Sequence, residues 1–484
     1  MSFFNKLESF ISDLEREAYL TGAGLKTEAN FSEIFENASN LISHDSLSEL
    51  KASGIDHSEQ AEYLSFILSM IIDKALREKT DHIITMELNI TVDIDGDHVP
   101  FRNLPILVAN EPDRIKRAAI DAVKREILDT TLNPLSIDIM LETHRMTKQF
   151  GYDSYIDFFE TIEGIKLNSI KKECMKLIRD TEDIYFRELD FHAAKMTGVP
   201  VGDLAQYDIA YIRRADMFDG MFPANKMLPA AWQTIRSMGI DAENNPFINI
   251  DIEPREFKSP RAFCCPVHVP REIYLVIMPH GGVDDYTSFL HELGHTLHFA
   301  YTDPELTLAA RHLGDNSVTE AYAGTLEHLV FNPLWLEKHL GISDSDVFIR
   351  YMKFFELFML RRYCAKLLYE LEFHSGKRTM EECASIYEDF LSLSTGVKYF
   401  RETFIQDLDS HFYCARYLRS WMLEIQIRQI LEKKYGLEWF SSPEAGELLV
   451  NLWSLGQKHR AESISSMLGF DSLNFDPYIQ EYCN

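Results

Sequence analysis

Basic runs are missing from this chain. Of 484 residues, 48 are Lys or Arg and 76 are Asp or Glu, a formal net charge of −28. Nucleic acid and anionic membranes are held by concentrated positive faces, so the balance argues against both as partners. Long apolar runs are missing too. The best stretch, Tyr63 to Ile72, is short and contains serines, well under the roughly 20 residues needed to span a bilayer. Met1 to Arg16 mixes acidic residues into its apolar pattern and has no basic segment ahead of an apolar core, which argues against a secretory signal. The seven cysteines are scattered, with only Cys264 and Cys265 adjacent. An odd count without framework spacing reads as free thiols in a reducing compartment. A cytoplasmic globular protein is the expectation. Repeats and low-complexity tracts are also absent from the sequence.

What is there is mostly helical periodicity. Phe3, Leu7, Phe10 and Leu14 form one stripe that Thr21-Gly22-Ala23-Gly24 ends. Further helices are predicted over 31–42 and 59–77. The period then shortens. Met86, Leu88, Ile90, Val92 and Ile94 alternate with polar residues, which predicts a half-buried strand turning at Asp95-Gly96. Helical spacing resumes over 113–128, 135–150, 152–162 and 167–196. A proline-bearing stretch, 200–260, reads as the crossing between two lobes. The length allows for two, set at 1–205, a helical lobe with a β-hairpin near 83–101, and 206–484, the lobe that carries the chemistry. Two β segments, 262–269 and 272–278, come just before the main motif.

That motif is His291-Glu292-Leu293-Gly294-His295, within an apolar helical pattern from Tyr286 to Phe299. Residues i and i+4 share a helix face, so both imidazoles can reach one ion, and Glu292 can touch a water on it. Asp284 or Asp285 is positioned to cap the helix. A tetrahedral site needs one more protein ligand. Glu320, 24 intervening residues beyond His295, is the first choice. Its other reading is a capping box with Ser317, an alternative role for the same carboxylate. Glu327, seven further on and on the same face, is a second choice of ligand or an acceptor for a ligand histidine. His298 reads as a packed or hydrogen-bonded histidine.

From Ala262-Phe263-Cys264 through the His-Glu motif to Val318-Thr319-Glu320-Ala321, the chain resembles the thimet oligopeptidase and oligoendopeptidase F family of zinc peptidases. It is also similar to angiotensin-converting enzyme, which shares the helical clam-shell fold. The resemblance covers mainly residues 260–425. It implies a mainly α, two-lobed clam-shell with a small β-sheet beside the active-site helix. It places one Zn2+ on His291, His295 and Glu320, with Glu292 as general base. It also brings in His411-Phe412-Tyr413-Cys414-Ala415-Arg416-Tyr417, where the family has a histidine and tyrosines that bind the substrate carbonyl. Tyr417 and His411 are therefore expected as oxyanion donors, with Tyr413 on the same helix face as Tyr417. This helix departs from the glycine- and tyrosine-rich version of the oligopeptidases, and His411 lies closer to Tyr417 than the family histidine does.

The function so implied is hydrolysis of short peptides, with the strand at Cys264, Cys265 and Val267 binding the substrate backbone. One alternative is a carboxypeptidase or dipeptidyl carboxypeptidase, which needs a cation for the substrate C-terminus; Arg416, Arg419 and Lys398 are available. Another is a peptide-binding protein of the same fold without catalysis, against which the intact Glu292 speaks.

Overall fold

Ahead of the His-Glu motif, where the hydrophobic period shortens, the computed structural model has a three-stranded sheet. The structure describes residues 3–483. Among the described residues 21 α-helices are found and helix makes up 70%, so the fold class is mainly α. The strands, among the described residues, are β1 (Thr91–Ile94), β2 (Asp97–Pro100), β3 (Ile248–Asp251), β4 (Phe263–His268) and β5 (Glu272–Val276). β1 and β2 form an antiparallel hairpin. The second sheet has the order β3-β5-β4, with β3 parallel and β4 antiparallel to β5.

The chain divides into two units. The first comprises residues 1–70, 216–350 and 419–477, and the second 71–215, 351–418 and 478–484. The contiguous division at 205/206 expected from sequence is thus not the one the fold makes. Four of the boundaries between the two units fall inside helices, His57–Asn89, Asp346–His374, Tyr413–Tyr435 and Asp476–Cys483. No proline- or glycine-rich linker marks such a boundary in a sequence.

In the first unit the N-terminal helix, Phe3–Gly22, buries Leu7, Phe10 and Ile11 and packs beside β4. Tyr19 stacks on Tyr274 of β5, with ring centroids 3.8 Å apart. Arg16 meets Glu272 through two hydrogen bonds of 2.7 and 2.8 Å. After β5 the chain enters the motif helix, Val283–Ala300. Neither Asp284 nor Asp285 caps it in the usual way: the cap residue is Gly282. Asp285 instead accepts the N–H groups of His280 and Gly281 and so fastens the preceding loop. Phe289, Leu290, Leu293 and Leu297 are buried as expected.

The motif helix crosses a second one, Asn316–Glu327, at very short range. A Cβ on Gly294 would lie 2.5 Å from the Cα of Ala323, so only glycine permits the approach. The second helix is capped by Asp315, whose carboxylate accepts the Ser317 N–H at 3.0 Å. The expected capping box between Ser317 and Glu320 is not formed, because Asp315 takes the capping position. Arg419, almost wholly buried, bonds Asp315 through both terminal nitrogens (2.8 and 2.6 Å) and Ser317 Oγ (2.7 Å).

In the second unit, the strand expected over 86–94 is formed only in its second half, as β1 (Thr91–Ile94); His57–Asn89 runs on as helix through Met86 and Leu88. Ile83, Met86 and Ile90 pack on the cluster of Phe101, Leu104, Val108, Ile120, Leu128 and Leu132, while Leu88 is left 55% exposed. That is helical spacing, which an alternating stretch also satisfies at 86 and 90. The hairpin turn at Asp95-Gly96 is as expected, both residues having positive φ. The helix expected over 167–196 is two, Leu167–Asp180 and Glu182–Met196, interrupted at Thr181.

Candidate metal centre

Three side-chain atoms converge in the first unit. His291 Nε2 and His295 Nε2 are 3.2 Å apart. Glu320 Oε2 is 3.3 Å from the first and 3.7 Å from the second. Donors about 2.0–2.2 Å from a tetrahedral ion are separated by about 3.3–3.6 Å, so these three atoms mark out one face of such a tetrahedron. When both Nε2 atoms present lone pairs they repel at this range, and a cation between them removes the conflict. The local charge agrees. Burial alone would lower the proton affinity of His291, but Glu320 and Glu327 outweigh it and raise its pKa well above the ordinary value.

The far side of each imidazole is also held. His291 Nδ1 lies 2.8 Å from Glu327 Oε2, so Glu327 stands behind His291 and Glu320 is the third converging group. His295 Nδ1 lies 2.9 Å from Thr319 Oγ1. His298, fully buried, reaches the same hydroxyl through its Nδ1 at 3.0 Å. It is a hydrogen-bonded core histidine as expected, and burial lowers its pKa to about 3. Thr319 was not anticipated from sequence. Its position one residue before Glu320 is the only local sign.

Glu292 is half-buried. Burial raises its carboxyl to about 7, with His291 opposing and Glu320 adding to the rise, and the Cys264 backbone N–H donates to it. β4 is an edge strand of its sheet, and its main chain at Cys264 therefore turns towards Glu292. Cys265 and Val267 are buried, so any contact they make with a ligand is through main chain. Burial, then Glu292, raises the Cys264 thiol well above its usual range. It is an inert thiol at neutral pH.

His411, Tyr413 and Tyr417 belong to the second unit. The Tyr413 and Tyr417 rings meet edge to face at 4.9 Å, and Tyr417 also meets Tyr363 at 5.8 Å. The backbone at His411 and Phe412 has positive φ at both residues, 54° and 48°. Such strain persists only where the surroundings fix it. Here the Tyr155 hydroxyl accepts the His411 N–H at 3.0 Å, and Phe412 is buried against Tyr155 and Phe159. Burial, with Arg416 adding and Glu163 opposing, lowers His411 to about 4. Its imidazole is therefore neutral at pH 7, and its buried Nδ1 has no hydrogen-bond partner among the described residues.

Of the three cations considered for a substrate carboxylate, two are committed elsewhere. Arg416 pairs with Glu163 at 2.8 Å, and Arg419 is 1% exposed within its network with Asp315 and Glu462. Lys398 lies over the Phe400 ring at 5.2 Å.

A second set of ligand-type residues, Glu370, Asp409 and Cys414, lies in the second unit. Sequence reasoning missed it because its members are far apart in the chain. Its cation position is taken: Lys366 Nζ is 2.8 Å from Asp409, 3.6 Å from Asp407 and 4.0 Å from Glu370. Among the described residues no helix is long and apolar enough to cross a membrane. No family model matches the chain, and no curated protein matches it.

Proposed function

We propose that the chain is a zinc-dependent peptidase acting on short peptides, of the thimet oligopeptidase and oligoendopeptidase F kind, with that family's two-lobed clam-shell fold and a cytoplasmic location. The observation that carries this reading is the convergence of His291 Nε2, His295 Nε2 and Glu320 Oε2 within 3.7 Å, with the Glu292 carboxyl alongside.

Those three atoms would hold one ion. When bound, zinc acidifies a water molecule and polarises a peptide carbonyl. Glu292, raised to about 7, accepts a proton from the attacking water and returns it to the leaving amine as the peptide C–N bond breaks. The Cys264 N–H keeps its carboxylate aimed during both transfers. Glu327 and Thr319 hold the two imidazoles so that Nε2 of each faces inward. As the outer strand of its sheet, β4 would offer main-chain hydrogen bonds to an extended peptide with little preference for side chains. Tyr417 and His411 are assigned, by the resemblance, to donate hydrogen bonds to the developing oxyanion. His411 suits this as a neutral imidazole with one N–H to give.

The engagement of Arg416 and Arg419 by carboxylates favours an endopeptidase over a carboxypeptidase, since neither is left to hold a substrate C-terminus. Mass spectrometry of a short-peptide pool incubated with zinc-loaded protein tests the proposal, each peptide being supplied free and amidated at its C-terminus. Internal cuts in both forms are expected. Stepwise loss of C-terminal residues from free peptides alone would replace the endopeptidase by the carboxypeptidase, and intact peptides throughout would refute the proposal.

A further inference from the structure

The two histidines that face the proposed metal position are supported from behind by different chemistry. His291 has a carboxylate, Glu327. His295 has a neutral hydroxyl, Thr319 Oγ1, which is shared with His298. We propose that Thr319 and His298 form an ordered chain of hydrogen bonds that locks His295 in one tautomer, making both of them positioning residues for the metal ligand. The proposal rests on the metal-centre reading above.

The proton order follows atom by atom. To present a lone pair at Nε2, His295 carries its proton on Nδ1 and donates it to Thr319 Oγ1, 2.9 Å away. The hydroxyl then has one proton to give, and His298 Nδ1, at 3.0 Å, accepts it. That leaves the His298 proton on Nε2, a buried atom with no hydrogen-bond partner among the described residues, in a ring whose proton affinity the nearby Gly456 backbone increases. Thr319 takes one proton and gives one, so along His295, Thr319 and His298 no two donors oppose each other. The alternative His295 tautomer, protonated at Nε2, would put a proton where the ion belongs.

The fold invests in this chain. His298 and Thr319 are 0% and 6% exposed, so neither is there for solubility. Gly456 has a φ of 56°, and a Cβ there would lie 2.5 Å from the Ala310 carbonyl oxygen. Only glycine fits that loop next to His298. The arrangement also depends on the close crossing at Gly294, which sets the distance from the motif helix to Thr319.

Co2+ is a suitable probe, since its visible absorption reports ligand geometry. The full chain is prepared metal-free. Co2+ affinity is measured by chelator competition, and the spectrum and melting curve are recorded for wild type, Thr319→Val, Thr319→Ser, His298→Leu and His298→Asn. Thr319→Val keeps the shape and removes the hydroxyl. It should weaken Co2+ binding by about ten- to a hundredfold and shift the absorption bands. Thr319→Ser should restore affinity to within about threefold, because the hydroxyl rather than the methyl group matters. His298→Leu should weaken binding less than Thr319→Val, and His298→Asn, which keeps an acceptor near the Nδ1 position, less again. Should Thr319→Val fail to fold, the Leu and Asn pair at 298 carries the same test. Valine binding as tightly as wild type with unshifted bands, or serine as weak as valine, would overturn the relay while leaving the metal centre intact. A wild-type protein that takes up neither Co2+ nor Zn2+ would remove the metal centre itself, and the relay with it.

Discussion

In the first unit, His291, His295 and Glu320 bring three donor atoms within 3.7 Å of one another. In the second, Glu370, Asp409 and Cys414 also gather, and Cys414 Sγ lies 2.9 Å from Glu370 Oε2. Both groups have the composition of a metal site, and both are largely buried. They differ in what stands at the centre. In the second group a lysine ammonium is already among the carboxylates, and Arg362 grips Asp407 through two bonds of 2.6 and 2.7 Å. In the first, the groups meeting the carboxylate are imidazole nitrogens, which can release a proton and present lone pairs to an ion. Convergence of ligand types is therefore not enough to define a metal centre. The decisive feature is whether the chain supplies its own cation.

Breaking the two groups should separate them sharply. The largest expected effect is on metal content. Wild type should retain about one zinc ion per chain after dialysis, and His295→Ala or Glu320→Ala should lose it, with affinity down by more than about a hundredfold. Asp409→Asn should leave the zinc stoichiometry at one. Elemental analysis of the dialysed proteins decides this, and zinc lost from Asp409→Asn but not from His295→Ala would reverse the assignment.

Next in size is the loss of the built-in cation. Lys366→Met would leave Glu370, Asp407 and Asp409 buried without it, which should cost about 3–5 kcal/mol in denaturant unfolding with zinc content unchanged. A smaller loss, about 1–3 kcal/mol, is expected for Gly294→Ala, whose Cβ would collide with Ala323. Unlike Lys366→Met, that variant should also weaken zinc binding, because the collision pushes the helix of Glu320 away.

A last effect is read as a slope with pH rather than as a change at one pH. Burial raises the Glu370 carboxyl from 4.5 to about 8, with Lys366 opposing and Asp409 adding. A carboxyl whose folded pKa is raised binds its proton more tightly when folded. Its contribution is therefore full below pH 4.5 and is lost as pH climbs towards 8. Glu370→Gln should flatten stability against pH across this window, and an unchanged slope would contradict the assigned environment.

How much of this could be read from sequence depends on how local each feature is. The motif, its buried helix face and Glu320 were legible because helical period and spacing place them within one short stretch. Glu327 was legible as an acceptor for the same reason. Thr319 was not, since its role depends on how closely two helices cross at Gly294, and a sequence does not state that distance. The Lys366 cluster joins residues up to 48 positions apart (366 to 414), with no pattern linking them. Only the first half of the stretch 86–94 was misread, because its alternation also fits a helix at Met86 and Ile90, where side chains pack on the Phe101–Leu104 cluster. The unit boundaries were invisible because helices run through them.

The most direct measurement on the central claim compares wild type with Glu292→Gln, both loaded with zinc, on one short peptide. The account predicts one zinc ion in each protein and cleavage by wild type alone, with turnover in the variant lower by at least about two orders of magnitude. Equal turnover in the two proteins, with zinc bound in both, would contradict it.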